Sequence, residues 1–347
     1  MSTRVGVIGA GANSRLRHIP GFQEIDGVEV VAVANRSSAS AEEVASTFGI
    51  STFTDDWKSV AQDPDIDAVC IGTWPNMHCE ATLECLQHGK HVLCEARMAR
   101  DLGEALKMAD CAKRHPDLVT QIVPSPFTLG DDDWIRERIE EEILGDLLEV
   151  RVRFLNGALC RDQAPMNWRL DQELSGKNTM VLGILHEAIL RWIPLPGLRV
   201  SAAAGWGCAE RPGAGGDRYP VVIPESLQIA AHPSSGPRML YDLSQLHAGA
   251  NENRIEICGK RGTLIVNIAE SRIDLTVDDQ EPVSRKIVDA WDVEGEFIRS
   301  IREGTPVKRT SFEEGLKYMA FTEAVWESWS KGLPVEVGDS DLAGEIK

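Results

Sequence analysis

The run Val5-Gly-Val-Ile-Gly-Ala-Gly-Ala-Asn-Ser14 is the first place where residue type and spacing could do chemistry. A short apolar stretch ends in Gly9-x-Gly11-x-x-Ser14, and where a strand turns into a helix this spacing makes a cradle for a dinucleotide pyrophosphate. Gly9 allows the tight turn and Gly11 lets the backbone approach the anion. Ala12 and Asn13 open the helix, whose first N–H groups suit an anion. Ser14 stands at the third, small position; it permits close packing, and its hydroxyl could donate to phosphate. An ordinary tight turn would use the same residues, so the strand context carries the reading.

At the end of the second expected strand the chain reads Asn35-Arg36-Ser37-Ser38. A site for NAD usually offers Asp or Glu there to the ribose hydroxyls, and such a carboxylate would repel a 2′-phosphate. Asn35 is neutral, Arg36 can stack on adenine or pair with phosphate, and the serines can donate to it. NADP is therefore favoured over NAD. A second reading stays open, with Arg36 a solvated loop charge and Ser37 or Ser38 a helix N-cap.

These residues need a scaffold, and the first ~120 residues supply one by alternating β-branched runs with helical patterns, as a parallel sheet with crossover helices requires. Strands are expected at 4–8, 28–34, 68–72, 91–94 and 118–123, with the clearest amphipathic helix at 78–88, stopped by Gly89. After Pro124 and Pro126 the pattern changes. A helix at about 132–143 leads into a strand near 147–154, and from about 198 to 288 strand-like segments alternate with turn signals, as in a largely antiparallel sheet. Helices near 292–302 and 312–331 close the chain. The pattern is that of an α/β domain over 1–124 followed by an α+β domain over 125–347, with the last helix expected to pack back towards the first domain.

Composition narrows the partners. The 347 residues carry a formal net charge of −18, which opposes polyphosphate backbones and anionic lipid surfaces, so nucleic acid and membrane partners are not expected. No apolar run approaches the ~20 residues that span a bilayer and nothing before Val5 resembles a secretory leader, so a cytoplasmic location is expected. The eight cysteines include no CxxC pair and no Cys/His spacing suited to zinc; no metal site and no disulfide are expected.

Gly89-Lys-His-Val-Leu-Cys-Glu95 approaches a motif that ends in Glu-Lys-Pro in the glucose-fructose oxidoreductase, inositol dehydrogenase and MocA family (Gfo/Idh/MocA), although Ala96 and Arg97 stand where that family has Lys-Pro. The order of the glycine turn, Thr73, His78, Glu95, Trp168-Arg169 and Gly332-Leu-Pro-Val335 resembles this family over essentially the whole chain. The resemblance implies a Rossmann domain plus an open-sheet domain whose face mediates oligomer contacts, hence a homo-oligomer. It also implies NAD(P)-dependent oxidation or reduction of a sugar, cyclitol or related polyhydroxy small molecule. It places Thr73, Trp74, Pro75 and His78 beside the cofactor and Glu95 at its nicotinamide end. Trp74 would cover the nicotinamide or the substrate; a packing role competes.

Alcohol oxidation needs a hydride acceptor and a group that takes the hydroxyl proton. The resemblance assigns the proton to the Lys of Glu-Lys-Pro and to an Asp and a His in a second segment; here those positions read Ala96, Val181 and Leu185. His186 follows directly and is the expected general acid/base, with Glu187 as orienter, against the alternative of a satisfied core histidine. Arg97 is expected to bind a substrate anion or else to form a structural ion pair. Trp168, Arg169 and Asn178 complete the expected substrate contacts. The motif changes keep two alternatives in view: a lyase or hydrolase with a retained nicotinamide cofactor, and a dinucleotide-binding protein without catalysis.

Overall fold

The computed structural model describes residues 2–338. The chain forms two compact units, one running to Pro124 and joined by Asp292–Leu316, the other made of Ser125–Trp291 and the chain from Lys317. The segment 292–316, expected in the second domain, therefore belongs with the first unit.

In the first unit, strands β1 (Thr3–Ile8), β2 (Val28–Ala34), β3 (Thr52–Thr54), β4 (Ala68–Ile71), β5 (His91–Cys94) and β6 (Thr120–Ile122) form a sheet in the order β3-β2-β1-β4-β5-β6. Every neighbouring pair is parallel. The strand order reverses between β1 and β4, which creates the crevice where open α/β sheets bind ligands. β4 is buried at all four positions, as a strand covered on both faces must be. The crossovers run through α1 (Ile19–Gln23), α2 (Ser38–Phe48), α3 (Trp57–Gln62), α4 (Pro75–Gln87) and α5 (Leu102–Arg114). α4 starts three residues before the expected His78 because Pro75 takes a first-turn position, where its missing N–H costs nothing. The three-residue β3 carries no alternation long enough to be read from sequence.

The second unit has α6 (Asp132–Glu140), β7 (Leu147–Asn156), α7 (Gln172–Ser175), α8 (Leu182–Leu190), β8 (Leu198–Gly205), β9 (Glu210–Pro212), β10 (Arg218–Pro220), β11 (Ser226–Pro233), β12 (Arg238–Ser244), β13 (Asn251–Gly259), β14 (Gly262–Asn267), β15 (Arg272–Val277) and β16 (Val283–Lys286). After α9 (Val293–Glu303) in the first unit, α10 (Phe312–Lys331) leads to β17 (Val335–Val337). The large sheet runs β16-β15-β14-β13-β7-β12-β11-β8-β17 and is antiparallel except where β7 meets β12. Its inward positions, among them Val150, Val152, Leu227, Ile229, Ile255 and Ile257, form one core with Leu182, Leu185 and Ile189 of α8 and Phe321 and Val325 of α10. Arg211 and Glu225, both fully buried, form an ion pair under this sheet's end. The Arg211 guanidinium also donates to the carbonyls of Arg161 (2.9 Å) and Leu159 (2.7 Å), so one buried charge fixes the start of the loop that carries Trp168 and Arg169.

Candidate functional site: a dinucleotide cradle

The glycine turn lies at the reversal of strand order. Gly9 has φ +85°, and a Cβ there would sit 2.8 Å from the Thr73 backbone nitrogen, so both conformation and space demand glycine. At Gly11 the nearest atom to a Cβ is the Gly72 carbonyl at 3.5 Å; Gly11 and Ala12 are exposed, and the backbone is open to a ligand. The Ser14 hydroxyl donates to the Gly9 carbonyl (3.1 Å) and the residue is buried against Gly72, so Ser14 locks the turn from inside and does not point at a phosphate as expected.

Asn35 ties β2 to the same turn: its Oδ1 accepts from the Ala10 N–H (2.8 Å) and its Nδ2 donates to the Ser40 carbonyl (3.2 Å). Ser37 is the N-cap of α2, accepting from the Ser40 N–H at 3.3 Å, which realises the capping alternative for that residue. Arg36 is exposed and its guanidinium lies 4.8 Å from the centre of the Trp74 ring. Trp74 therefore meets Arg36 from the end of β2, which in a Rossmann site is the adenosine side. Thr73 has its hydroxyl buried with no protein partner, a polar atom left for a ligand to satisfy.

His78 is fully buried and stands between two carbonyls, that of Arg97 (2.9 Å from Nδ1) and that of Thr73 (3.1 Å from Nε2), with burial lowering its pKa. It clamps the β4–α4 turn to the segment after β5, so its place is behind the cradle and not in contact with its contents. Arg97 is buried, and the Ala96–Arg97 peptide is cis.

Across the turn from Arg36, a charged group lies that spacing alone did not single out. His18, fully buried at the end of the helical turn 14–18, points Nε2 at Glu95 Oε1 (2.9 Å) and Nδ1 at the carboxylate of Glu294, from the first turn of α9. Asn13 Nδ2 donates to the same Glu95 oxygen, and Glu95 Oε2 accepts from the Ala96 N–H (3.1 Å). Burial alone would lower the His18 pKa, but its hydrogen bonds to Glu294 and Glu95 outweigh that and raise it to about 9. Burial opposes ionisation of Glu95 as well, and its bonds to His18 and Asn13 reverse the balance, lowering its pKa. His18 is thus held as an imidazolium between the side chains of Glu95 and Glu294. Gly21 makes room for it, since a Cβ there would stand 2.8 Å from Glu294 Oε2.

Comparison with known proteins decides the family. Residues 3–122 match the model of the Gfo/Idh/MocA oxidoreductase family with its NAD-binding Rossmann fold, and residues 133–265 match the Gfo/Idh/MocA C-terminal domain. The chain belongs to the Gfo/Idh/MocA oxidoreductases. Among its relatives, levoglucosan dehydrogenase of Pseudarthrobacter phenanthrenivorans is 25% identical over 358 residues, covering 89% of each chain. A 1,5-anhydro-D-fructose reductase of Ensifer adhaerens is 29% identical over 209 residues, 59% of this chain and 61% of that one. In fold, the chain resembles an oxidoreductase domain protein of Kribbella flavida (TM-score 0.87, 20% identity, 97% and 100% of the two chains). It also resembles levoglucosan dehydrogenase in complex with NADH and L-sorbose (TM-score 0.84, 22% identity, 99% and 100%).

In the second unit of this Gfo/Idh/MocA chain the expected catalytic pair is buried. His186 is 1% exposed, its ring stacked on Phe321 with centroids 3.8 Å apart and its Nδ1 2.7 Å from the Tyr241 hydroxyl. Burial pushes its pKa down to about 3, and the ring is packed and hydrogen-bonded in the core, as the alternative of a satisfied core histidine requires. Glu187 is buried too, taking two hydrogen bonds from Arg191 (3.0 and 2.8 Å) and one from the Ser125 N–H (3.0 Å). Arg191 also pairs with Asp132 (3.1 Å), so Glu187 belongs to a structural charge network. Asn178 is 1% exposed and donates to the Ser175 carbonyl (2.7 Å), which fixes the turn after α7. Trp168 and Arg169 do come together, the guanidinium 4.3 Å from the ring centre, with Arg169 exposed. No cluster of His, Cys, Asp or Glu suited to a metal ion occurs among the described residues, and none of their helices is long and apolar enough to cross a membrane.

Proposed function

We propose that this oxidoreductase binds NADP in preference to NAD and acts on a sugar, cyclitol or related polyhydroxy compound. The observation that carries the cofactor preference is at the end of β2, where Arg36 lies over Trp74 and positions 35–37 hold no carboxylate. A guanidinium backed by an indole gives a 2′-phosphate a charged partner and the adenine a flat surface. Gly9, Gly11, Ala12 and Asn13 would take the pyrophosphate, the Thr73 hydroxyl would meet its unmet hydrogen bond on the cofactor, and Pro75 would shape the wall beside it. Asn35, Ser14, Ser37 and His78 support these contacts from behind.

The nicotinamide, when bound, supplies a hydride acceptor for the carbon that bears the substrate hydroxyl, or a donor for the corresponding carbonyl, while a base exchanges the hydroxyl proton. Ala96 has no proton to move. Trp168 and Arg169 are assigned to the substrate, an apolar wall for the sugar ring beside a guanidinium for its hydroxyls, and Arg97 to its positioning. The sugar and diol enzymes among the relatives support this substrate class. We further expect a homo-oligomer through the outward face of the large sheet, where Ser201, Ala203, Ala230 and Leu240 form a shallow groove.

Calorimetric titration of the stripped protein tests the cofactor reading. NADP should bind about tenfold tighter than NAD, and Arg36→Asp should remove or invert that preference while leaving NAD binding within about threefold. Tighter binding of NAD to the unaltered protein would overturn it. A panel of polyols and sugars, read as cofactor reduction at 340 nm, tests the substrate class.

A further inference from the structure

The segment from Leu159 to Leu170 is buried only at its two ends; residues 160–163, Pro165, Asn167 and Arg169 are exposed, so apolar packing does not decide its shape. Its ties are polar. The Arg211 guanidinium donates to the carbonyls of Leu159 (2.7 Å), Arg161 (2.9 Å) and Ala164 (3.4 Å), and the Met166 N–H donates to the Pro212 carbonyl (2.8 Å), so ties to β9 recur every two or three residues. β9 and β10 form a two-stranded sheet of their own. Glu225 connects that hairpin to the large sheet. Its N–H donates to the Gly205 carbonyl (3.0 Å) and its carbonyl accepts from the Gln245 N–H (3.0 Å), which extends the ladder of β8, β11 and β12 by one residue. Its carboxylate receives Arg211 and the Gly207 N–H (2.8 Å), and a Cβ at Gly207 would stand 3.2 Å from Oε2. A fully buried pair such as Arg211–Glu225 is weak evidence of stability, because desolvating both charges offsets their attraction; its better-attested use is to select one arrangement.

We propose that Arg211 and Glu225 are positioning residues for the substrate: they hang loop 157–170 and the β9–β10 hairpin on the large sheet as one body, and so fix the pairing of Trp168 with Arg169 that meets the sugar ring. The inference rests on the assignment of those two residues to the substrate made above. Glu225 is held by the sheet, Arg211 by Glu225, and the loop carbonyls by Arg211. The guanidinium suits this place because its N–H groups diverge in a fixed pattern and reach a carboxylate and three carbonyls together; lysine would offer the charge without the fork. An apolar pair could fill the same volume, but the three carbonyls would then find donors only in water, and the loop would turn out to reach it. A sugar presents a ring face to the indole and hydroxyls to the guanidinium, and a displacement of about 1 Å spoils both contacts. Loosening the loop therefore weakens substrate binding first.

The test uses the full chain labelled with 5-fluorotryptophan and reads fluorine NMR, kinetics and thermal stability for the unaltered protein, for Arg211→Lys and for the double variant Arg211→Met with Glu225→Leu. Trp168→Phe identifies the Trp168 line among those of the nine tryptophans. Both variants should shift or broaden the Trp168 line and leave the lines of Trp57 and Trp74, in the first unit, in place. With a sugar that the unaltered protein turns over in the 340 nm panel, KM should rise about tenfold while kcat changes by less than about threefold and the NADP dissociation constant by less than about twofold. A merely structural pair would lower the melting temperature and the active fraction, and with it kcat, at unchanged KM and with the Trp168 line in place. A Trp168 line unmoved in Arg211→Lys, or a KM within about twofold of the unaltered protein's, overturns the proposal, and this variant decides alone if the double one does not fold. Failure of the unaltered protein to turn over any sugar would instead overturn the substrate reading, and the Trp168 line would still decide whether Arg211 holds the loop.

Discussion

His18 and His186 are both sealed from solvent, yet their surroundings drive them to opposite charge states. His18 faces carboxylates on both ring nitrogens and its pKa rises to about 9; His186 faces a phenol and a stacked phenyl ring and its pKa falls to about 3. Burial is the largest single influence in each and pushes both the same way, toward the neutral ring. What differs is whether a charged acceptor was buried with the histidine. The lesson for function is that the histidine on the apolar helix, the one whose position invites a catalytic assignment, is the inert one. The histidine tucked behind the glycine turn carries the charge.

The largest expected effect is on the acid side and belongs to His186. Its folded pKa lies below its ordinary value, so the unfolded chain binds the extra proton first. The stability this site provides is complete above about pH 6.5 and is lost as pH falls toward 3, by roughly 5 kcal/mol in all at about 1.4 kcal/mol per unit. His186→Phe removes the titrating ring and keeps an aromatic face for Phe321. The difference in urea-unfolding free energy between variant and parent should therefore move in the variant's favour on acidification below pH 6. A parallel pair of pH profiles would break the comparison, as would a His186 ring that titrates near 6.5 by NMR.

His18 should behave with the opposite sign. Its folded pKa is raised, so its contribution is complete below about pH 6.5 and is lost as pH rises through about 9, on the order of 3 kcal/mol. Replacing it by leucine leaves Glu95 and Glu294 buried without the cation between them, and such a break costs about 3–5 kcal/mol near neutral pH. The loss should shrink in acid, where Glu95, no longer held by the imidazolium, regains its proton. A His18→Leu protein as stable as its parent at pH 7 would show that the imidazolium is not what holds the carboxylates together.

The same contrast explains what could be read in advance. Gly9 was legible because a tight turn is local, and α10 was legible to the residue because its apolar pattern runs for five turns. His18 left only a faint local signal: it sits one helical turn after Ser14, on the face that continues into Ile19 and Phe22, with Arg15 and Arg17 on either side. Its meaning depends on Glu294, 276 residues later, and no spacing rule reaches that far. His186 failed for the complementary reason. Its helix has a polar residue where an apolar one would serve, and sequence alone does not say that Tyr241, across the sheet, supplies the partner that makes it a satisfied core residue.

The smallest effect follows from that partner. Tyr241→Phe keeps the ring that packs beside Phe321, centroids 5.2 Å apart, and removes only the hydroxyl 2.7 Å from His186 Nδ1. One buried ring nitrogen is left unmatched, at a cost of about 1–2 kcal/mol in unfolding free energy. Because the imidazole is neutral in both proteins, the penalty should be the same at pH 6 and pH 8. A penalty that grows with acid would mean that the hydroxyl had been stabilising a charged His186. The two histidines would then differ in degree and not in kind.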